Sequence, residues 1–297
     1  MPAVVCLIAD PAVQPLDPAL VREVARASGG GEPRWLAPDT AAEVLAEAAE
    51  PAALAELLAP LLAGATIDHA VLPPSYRRKR LLVSDMDSTI ITIECIDELA
   101  DFAGLKTEVA AVTRRAMNGE LDFAAALEAR VALLAGLPEA ALDEVIRERL
   151  RLMPGAVTLV RTMRARAGAL TALVSGGFTA FTGHVRGLCG FDLDEANRLE
   201  IAGGRLTGRI VPPLRDASSK LAALDRLRDG HGLDAAETLA VGDGANDLPM
   251  IRAAGLGVAF RAHPRVRAQA PVRVEHGDLT ALLYLQGYAR GEFVTAD

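Results

Sequence analysis

Residues 3–9 form an apolar run that ends at Asp10 and has the length of a buried strand. Residues 18–28 place Leu20, Val21, Val24 and Ala25 at helical spacing, and Gly29, Gly30 and Gly31 stop the pattern. Residues 33–36 suit a second strand. Residues 40–62, rich in alanine, leucine and glutamate, predict one or two helices broken at Pro51 and Pro60. A further strand is expected over 66–72. The sum is β-α-β-α-β, a small α+β unit over residues 1–72, followed by a linker at 73–80 that carries Arg77, Arg78, Lys79 and Arg80.

From Leu81 the pattern changes. Short apolar runs at 81–83, 170–174, 238–241, 256–260 and 272–275 read as core strands. Helical spacing fills 155–167, 179–188, 218–228, 248–254 and 278–285. Such alternation predicts a mainly parallel sheet with helices on both faces. One stretch, 94–152, interrupts it with helical periodicity alone, best seen at Leu127, Val131 and Leu134. An insert directly after the first core strand is placed to roof whatever lies at that strand's end. This divides the second unit into a core (81–93 and 153–297) and a helical cap (94–152). Residues 199–211, with Gly203 and Gly204 in the middle, predict a β-hairpin.

Composition narrows the class. Of 297 residues, 51% are hydrophobic and only 4% aromatic, so the core is expected to be aliphatic. The balance of 31 basic and 39 acidic residues gives −8, without the basic stripe and interleaved aromatics that suit nucleic acid. Cys6, Cys95 and Cys189 form no Cys-x-x-Cys pair and suit reduced core positions. No stretch has a membrane span's length of uncharged residues, and the start lacks a basic leader, so a cytoplasmic setting is expected. A homodimer is left open.

The run at 81–83 ends in Asp85-Met-Asp87-Ser-Thr89. Side chains two apart on an extended chain point the same way, so both acids can face one ligand at the strand's carboxyl end. Alone, the motif would better suit a strand-to-helix turn with an N-cap. Val174-Ser175-Gly176-Gly177 predicts a strand end, a glycine turn and a helix start, where a hydroxyl and free N–H groups can meet an anion. Gly242-Asp243-Gly-Ala-Asn246-Asp247 offers an acid between small neighbours, able to share a metal with Asp85 while Asn246 and Asp247 brace it. By itself it would equally be a turn. Lys220 is one basic candidate for an anion partner and Arg215 a rival.

Taken in order, these four stretches resemble the haloacid dehalogenase-like superfamily of aspartate-nucleophile phosphatases, over roughly residue 79 to the end. The resemblance implies a Rossmann-like core and one bound Mg²⁺. Three more features resemble the phosphoserine phosphatase family within it: Glu94 nine residues after Asp85, the stretch Ala116–Phe123, and Leu127–Leu134 containing Arg130. That family hydrolyses O-phospho-L-serine, the last step of L-serine biosynthesis. Its pattern implies Asp85 as nucleophile, Asp87 as acid and base, and Mg²⁺ on Asp85, the Asp87 carbonyl and Asp243. Ser175, Gly176 and Lys220 would meet the phosphate, Glu94 the substrate ammonium and Arg130 its carboxylate. Asn246 would join these substrate-binding residues. Thr89 and Asp247 would support the site, with Met117 and Phe123 packed over it. The unit at 1–72 resembles a ferredoxin-like or ACT-like extension in element order. Another small phosphatase or phosphotransferase of the superfamily, or a catalytically silent amino-acid sensor, are the alternatives.

Overall fold

The structure, a computed structural model, describes residues 2–46, 50–117 and 120–295. The first unit runs β1 (Ala3–Ala9), α1 (Pro18–Ala27), β2 (Arg34–Ala37), β3 (Ala41–Ala46), α2 (Pro51–Leu62) and β4 (Ile67–Leu72). Its four strands form an antiparallel sheet in the order β2-β3-β1-β4, the split-βαβ arrangement. Residues 41–46 are therefore a strand, where alanine and glutamate content predicted a helix. Their burial alternates: Val44 and Ala46 point inward while Leu45 is exposed. Pairing with β1 and β2 on either side outweighs a weak local preference for helix. Pro51 then starts α2 at its first position, where a missing N–H costs nothing.

Strand β1 is buried along its whole length. Val5 and Leu7 pack under α1 and α2, while Val4, Cys6 and Ile8 join the core of the larger unit. The segment expected as a linker is fastened down. The Arg77 guanidinium donates to the carbonyls of Tyr284 and Leu285 and pairs with Glu43. Lys79 Nζ donates to Ala236 O at 2.6 Å. Asp68, 4% exposed, accepts the N–H groups of Glu275, His276 and Gly277 across the seam.

The second unit begins with β5 (Leu81–Ser84) and then gives way to the cap helices α3 (Cys95–Phe102), α4 (Lys106–Met117), α5 (Phe123–Leu133) and α6 (Ala140–Glu148). The chain returns through α7 (Ala156–Ala167), β6 (Leu170–Phe178), α8 (Thr179–Cys189), β7 (Leu193–Ala202), β8 (Arg205–Val211) and α9 (Ala217–Gly230). It ends with β9 (Thr238–Gly242), α10 (Leu248–Ala253), β10 (Leu256–Phe260), α11 (Pro264–Arg267), β11 (Val272–Val274) and α12 (Ala281–Leu285). The sheet order is β11-β10-β9-β5-β6-β7-β8, parallel except for β8. Strand β5 is central, so its carboxyl end lies among the ends of its neighbours.

Two local readings change. The hairpin's first strand starts at Leu193, six residues earlier than its apolar pattern predicts, because Leu193–Glu195 extend the parallel sheet alongside β6. Ser175-Gly176-Gly177 is no simple turn: β6 continues through it to Phe178 with an irregular register. The cap leaves and returns at one place, where Thr92 N–H donates to Arg151 O and Met153 N–H to Ile90 O. Among the described residues, no helix is long and apolar enough to cross a membrane.

Candidate active site

The ends of β5 and β9 bring three carboxylates together. Asp85 N–H continues the pairing to Val241 O, which holds the backbone at the sheet's edge. Its Oδ1 accepts from Met86 N–H at 2.7 Å and from Lys220 Nζ at 2.8 Å. Lys220, projecting from the first turns of α9 and 2% exposed, also reaches Asp247 Oδ1 at 2.6 Å. Asp247 Oδ2 accepts from Gly244 N–H. A Cβ at Gly242 would stand 2.3 Å from Asp247 Cγ, so that acid's approach requires glycine. The Asp243 carboxylate accepts from the Thr89 hydroxyl, at 3.1 Å.

Oxygen atoms of Asp85, Asp243 and Asp247 lie within 4.8 Å of one another. Burial, then the charges of Asp85 and Asp247, push Asp243 up to about 8. Burial and Asp85 push Asp247 up to about 7, against the pull of Lys220. For Lys220 itself burial acts downward, yet Asp247 and Asp85 outweigh it and hold the ammonium above its ordinary range. Three carboxylates thus face one ammonium. An all-oxygen donor set with surplus negative charge fits a hard divalent cation such as Mg²⁺.

Asp87 lies one side chain further out. Its Oδ1 accepts from Cys95 N–H at 3.0 Å, and its Oδ2 is 3.4 Å from the Ser175 hydroxyl. Burial of the carboxyl, then Glu94 and Asp85, push it up to about 7. A Cβ at Gly177 would lie 2.8 Å from Oδ2, so the irregular stretch of β6 must be bare there. Glu94 precedes α3 and accepts from the Ser88 hydroxyl at 2.6 Å. Burial raises the pKa of its carboxyl, against the downward pull of that hydrogen bond and, more weakly, of Arg130.

A cleft of about 540 Å³ opens over these groups, lined by Asp85, Asp87, Glu94, Arg130, Ser175 and Asp243 among others. Gly176 and Asn246 also line it, and Phe123 closes down on Gly176, its Cζ within 3.1 Å of where a Cβ would sit. Of the residues singled out from the sequence, Asp85, Asp87, Glu94, Arg130, Ser175, Gly176, Asp243 and Asn246 share this cleft. Lys220 and Asp247 sit beneath it rather than on its wall. Arg215 is bound to Glu195 at 2.6 Å and does not line the cleft. The Met117 side chain falls outside the described residues.

Asp97, Thr113 and His263 also line the cleft and carried no sequence signal. The Cys95 amide and the Ser88 hydroxyl were missed as well. Ser88 lies inside the first motif, but its φ of 53°, which turns it toward Glu94, is visible only in three dimensions.

An acid cluster at the carboxyl ends of parallel strands, under an inserted helical roof, places the candidate site in an α/β fold of the Rossmann-like class. The chain belongs to the haloacid dehalogenase-like hydrolase family, whose model matches residues 82–252. It is 46% identical over 262 residues to a phosphoserine phosphatase of Streptomyces coelicolor, covering 88% of this chain and 63% of that one. A phosphoserine phosphatase of Polaromonas sp. is 49% identical over 211 residues, 69% of this chain and 89% of that protein. Among solved structures, an unliganded probable phosphoserine phosphatase from Vibrio cholerae matches with a TM-score of 0.77 at 34% identity, over 98% of this chain and 88% of that one. The chain thus spans under two thirds of the Streptomyces relative's length.

Proposed function

We propose that this protein hydrolyses O-phospho-L-serine to L-serine and phosphate through an aspartyl-phosphate. The observation that carries the reading is one cleft holding Asp85 and Asp87 together with Glu94 and Arg130. The first pair suits phosphoryl transfer. The second offers a carboxylate for an ammonium and a guanidinium for a carboxylate, as a phosphorylated amino acid requires.

Asp85 Oδ1 is already engaged by the Met86 amide and Lys220, which leaves Oδ2 to attack. An Asp85 oxygen bonds to phosphorus as the bond to the serine oxygen breaks, and Asp87 passes its proton to that departing oxygen. A water oxygen then bonds to phosphorus as the Asp85–phosphorus bond breaks, and Asp87 takes the water's proton. A carboxyl with its pKa near 7 is suited to both transfers. Ser175 and the bare backbone of Gly176 receive the phosphate oxygens. Mg²⁺ held by Asp85, the Asp87 carbonyl and Asp243, with Asp247 beside them, would supply the positive charge that lets an anionic nucleophile meet an anionic ester. Lys220 fixes Asp85 and Asp247 from below.

Magnitude supports convergence of these groups. Phosphate-monoester hydrolysis demands accelerations approaching ~10²¹, while one hydrogen-bond donor supplies about 3–4 kcal/mol. A cytoplasmic enzyme suits the three buried free cysteines.

The test is phosphate release from L-phosphoserine, measured beside a panel of other phosphorylated amino acids and sugars. Robust turnover of L-phosphoserine, lost in Asp85→Asn and with EDTA and restored by Mg²⁺, is the expected result. A preference for another phosphate ester would move the reading elsewhere in the family. No turnover of any ester would favour the sensor alternative.

A further inference from the structure

Strand β6 leaves its ladder where the phosphate-facing wall lies. Its pairing with β7 jumps from Val174–Glu195 to Phe178–Asn197, so Ser175, Gly176 and Gly177 bulge out of register. Backbone groups that leave a ladder need partners elsewhere. Here a side chain supplies one. Asn197, 1% exposed, donates from Nδ2 to Gly176 O at 2.9 Å and to Arg215 O at 3.2 Å. Its Oδ1 accepts from Arg215 N–H at 2.7 Å. That last bond fixes which end of the amide is which, because an N–H can face only the oxygen, and both donors of Nδ2 are left for carbonyls.

The Gly176 carbonyl and the Gly177 N–H share one peptide plane and point opposite ways across it. With the carbonyl held by Asn197, the N–H is aimed at Ser175 Oγ, which accepts it at 2.9 Å. The same hydroxyl reaches Asp87 Oδ2 at 3.4 Å. Neither glycine restrains the plane. A Cβ at Gly177 would meet Asp87 Oδ2 at 2.8 Å, and one at Gly176 would meet Phe123 at 3.1 Å. The stretch must therefore be bare, and bare backbone swivels easily.

We propose that Asn197 is a positioning residue for the reaction: its amide locks the Gly176–Gly177 peptide plane and, through it, holds the Ser175 hydroxyl where the phosphate docks. The inference rests on the hydrolase reading above. Asn197 does not line the cleft and acts only through the segment it fastens. Its own anchor is the backbone of Arg215, just before Asp216 caps α9, the helix that carries Lys220. The wall that receives the phosphate and the helix that steadies Asp85 are thus referred to one buried amide. Ion pairs from Arg215 and Arg226 to Glu195 hold α9 to β7 independently, so loss of the amide frees the peptide before it frees the helix.

Asn197→Asp keeps the shape and the acceptor for Arg215 N–H but sets an oxygen against two carbonyls. We expect kcat/KM to fall by about 10²-fold, the worth of about 1 Å of misplacement. The factor should be the same on L-phosphoserine and p-nitrophenyl phosphate, since the phosphoryl group is common to both. The discriminating readout is a double-mutant cycle. In a Ser175→Ala background the same substitution should cost less than about threefold, because the hydroxyl it positions is gone. The full loss in both backgrounds, which a merely structural Asn197 would give, would overturn the inference, and so would a loss confined to L-phosphoserine.

Should the buried carboxylate keep that variant from folding, Asn197→Ala removes the donors without adding a charge and carries the same cycle, with a loss of about tenfold. The cycle is also read as affinity for inorganic phosphate in the presence of Mg²⁺, which needs no turnover. Phosphate should bind more weakly in the Asn197 variants only where Ser175 is present. Equal weakening in both backgrounds would sink the idea. A wild-type chain that turns over no ester would instead strike the hydrolase reading, and the phosphate affinities would still decide the role of Asn197.

Discussion

Gly177 shows how little room the site leaves for a single methyl group. With a Cβ 2.8 Å from Asp87 Oδ2, Gly177→Ala must push the acid aside or bend β6. Misplacement of about 1 Å costs ~10²-fold in rate, so kcat on L-phosphoserine should fall by about that factor, with thermal stability changed far less. Lys79 offers a residue-scale test of electrostatics. Burial, and then the charge of Arg77, lower its pKa from 10.5 to about 8. Below pH 8 the amine is protonated both folded and unfolded, so it adds no slope. Between pH 8 and 10.5 the unfolded chain binds the extra proton, and stability should rise with pH. Lys79→Met should flatten that rise relative to the wild-type protein in unfolding curves taken across this window.

At the scale of elements, the site was largely legible where its chemistry is contiguous in the chain. Asp85 and Asp87 follow one strand, and Asp243 and Asp247 another, so alternation and small neighbours predict from sequence that they face one place. Residues 41–46 were not legible, because alanine satisfies helix and strand alike and the choice belongs to β1 and β2 across the sheet. The Cys95–Asp87 contact was hidden for a related reason: a backbone amide has no sequence signature. Arg130 was legible only by resemblance, since its meaning depends on how α5 sits over the core. Arg130→Ala should raise KM for L-phosphoserine by about 10–100-fold, the worth of a charge-assisted contact, and leave an aryl phosphate nearly unaffected. Equal losses on both would make Arg130 a structural residue of the cap.

For the whole molecule, the two units share one apolar core through Val4, Cys6 and Ile8, so the first unit is a packed wall of the second. The seam is polar at its rim. Asp68 receives three backbone N–H groups from the loop after β11, and Asp68→Ala would leave them without that acceptor, the Gly277 N–H in a buried position and the other two half-buried. We expect a loss of about 2–4 kcal/mol, read as a lower thermal midpoint, with KM for L-phosphoserine little changed. Two separate unfolding transitions in the variant would show that the seam, rather than either core, had given way.

The paired crossing at Ile90–Thr92 and Arg151–Met153 gives the roof a single doorway. A segment whose two ends are stitched side by side can be exchanged for one of different length or shape without re-threading the sheet below. Selectivity can therefore diversify by swapping this module while the acid cluster stays as it is. For the same reason, a graft between relatives should be cut at these two paired segments.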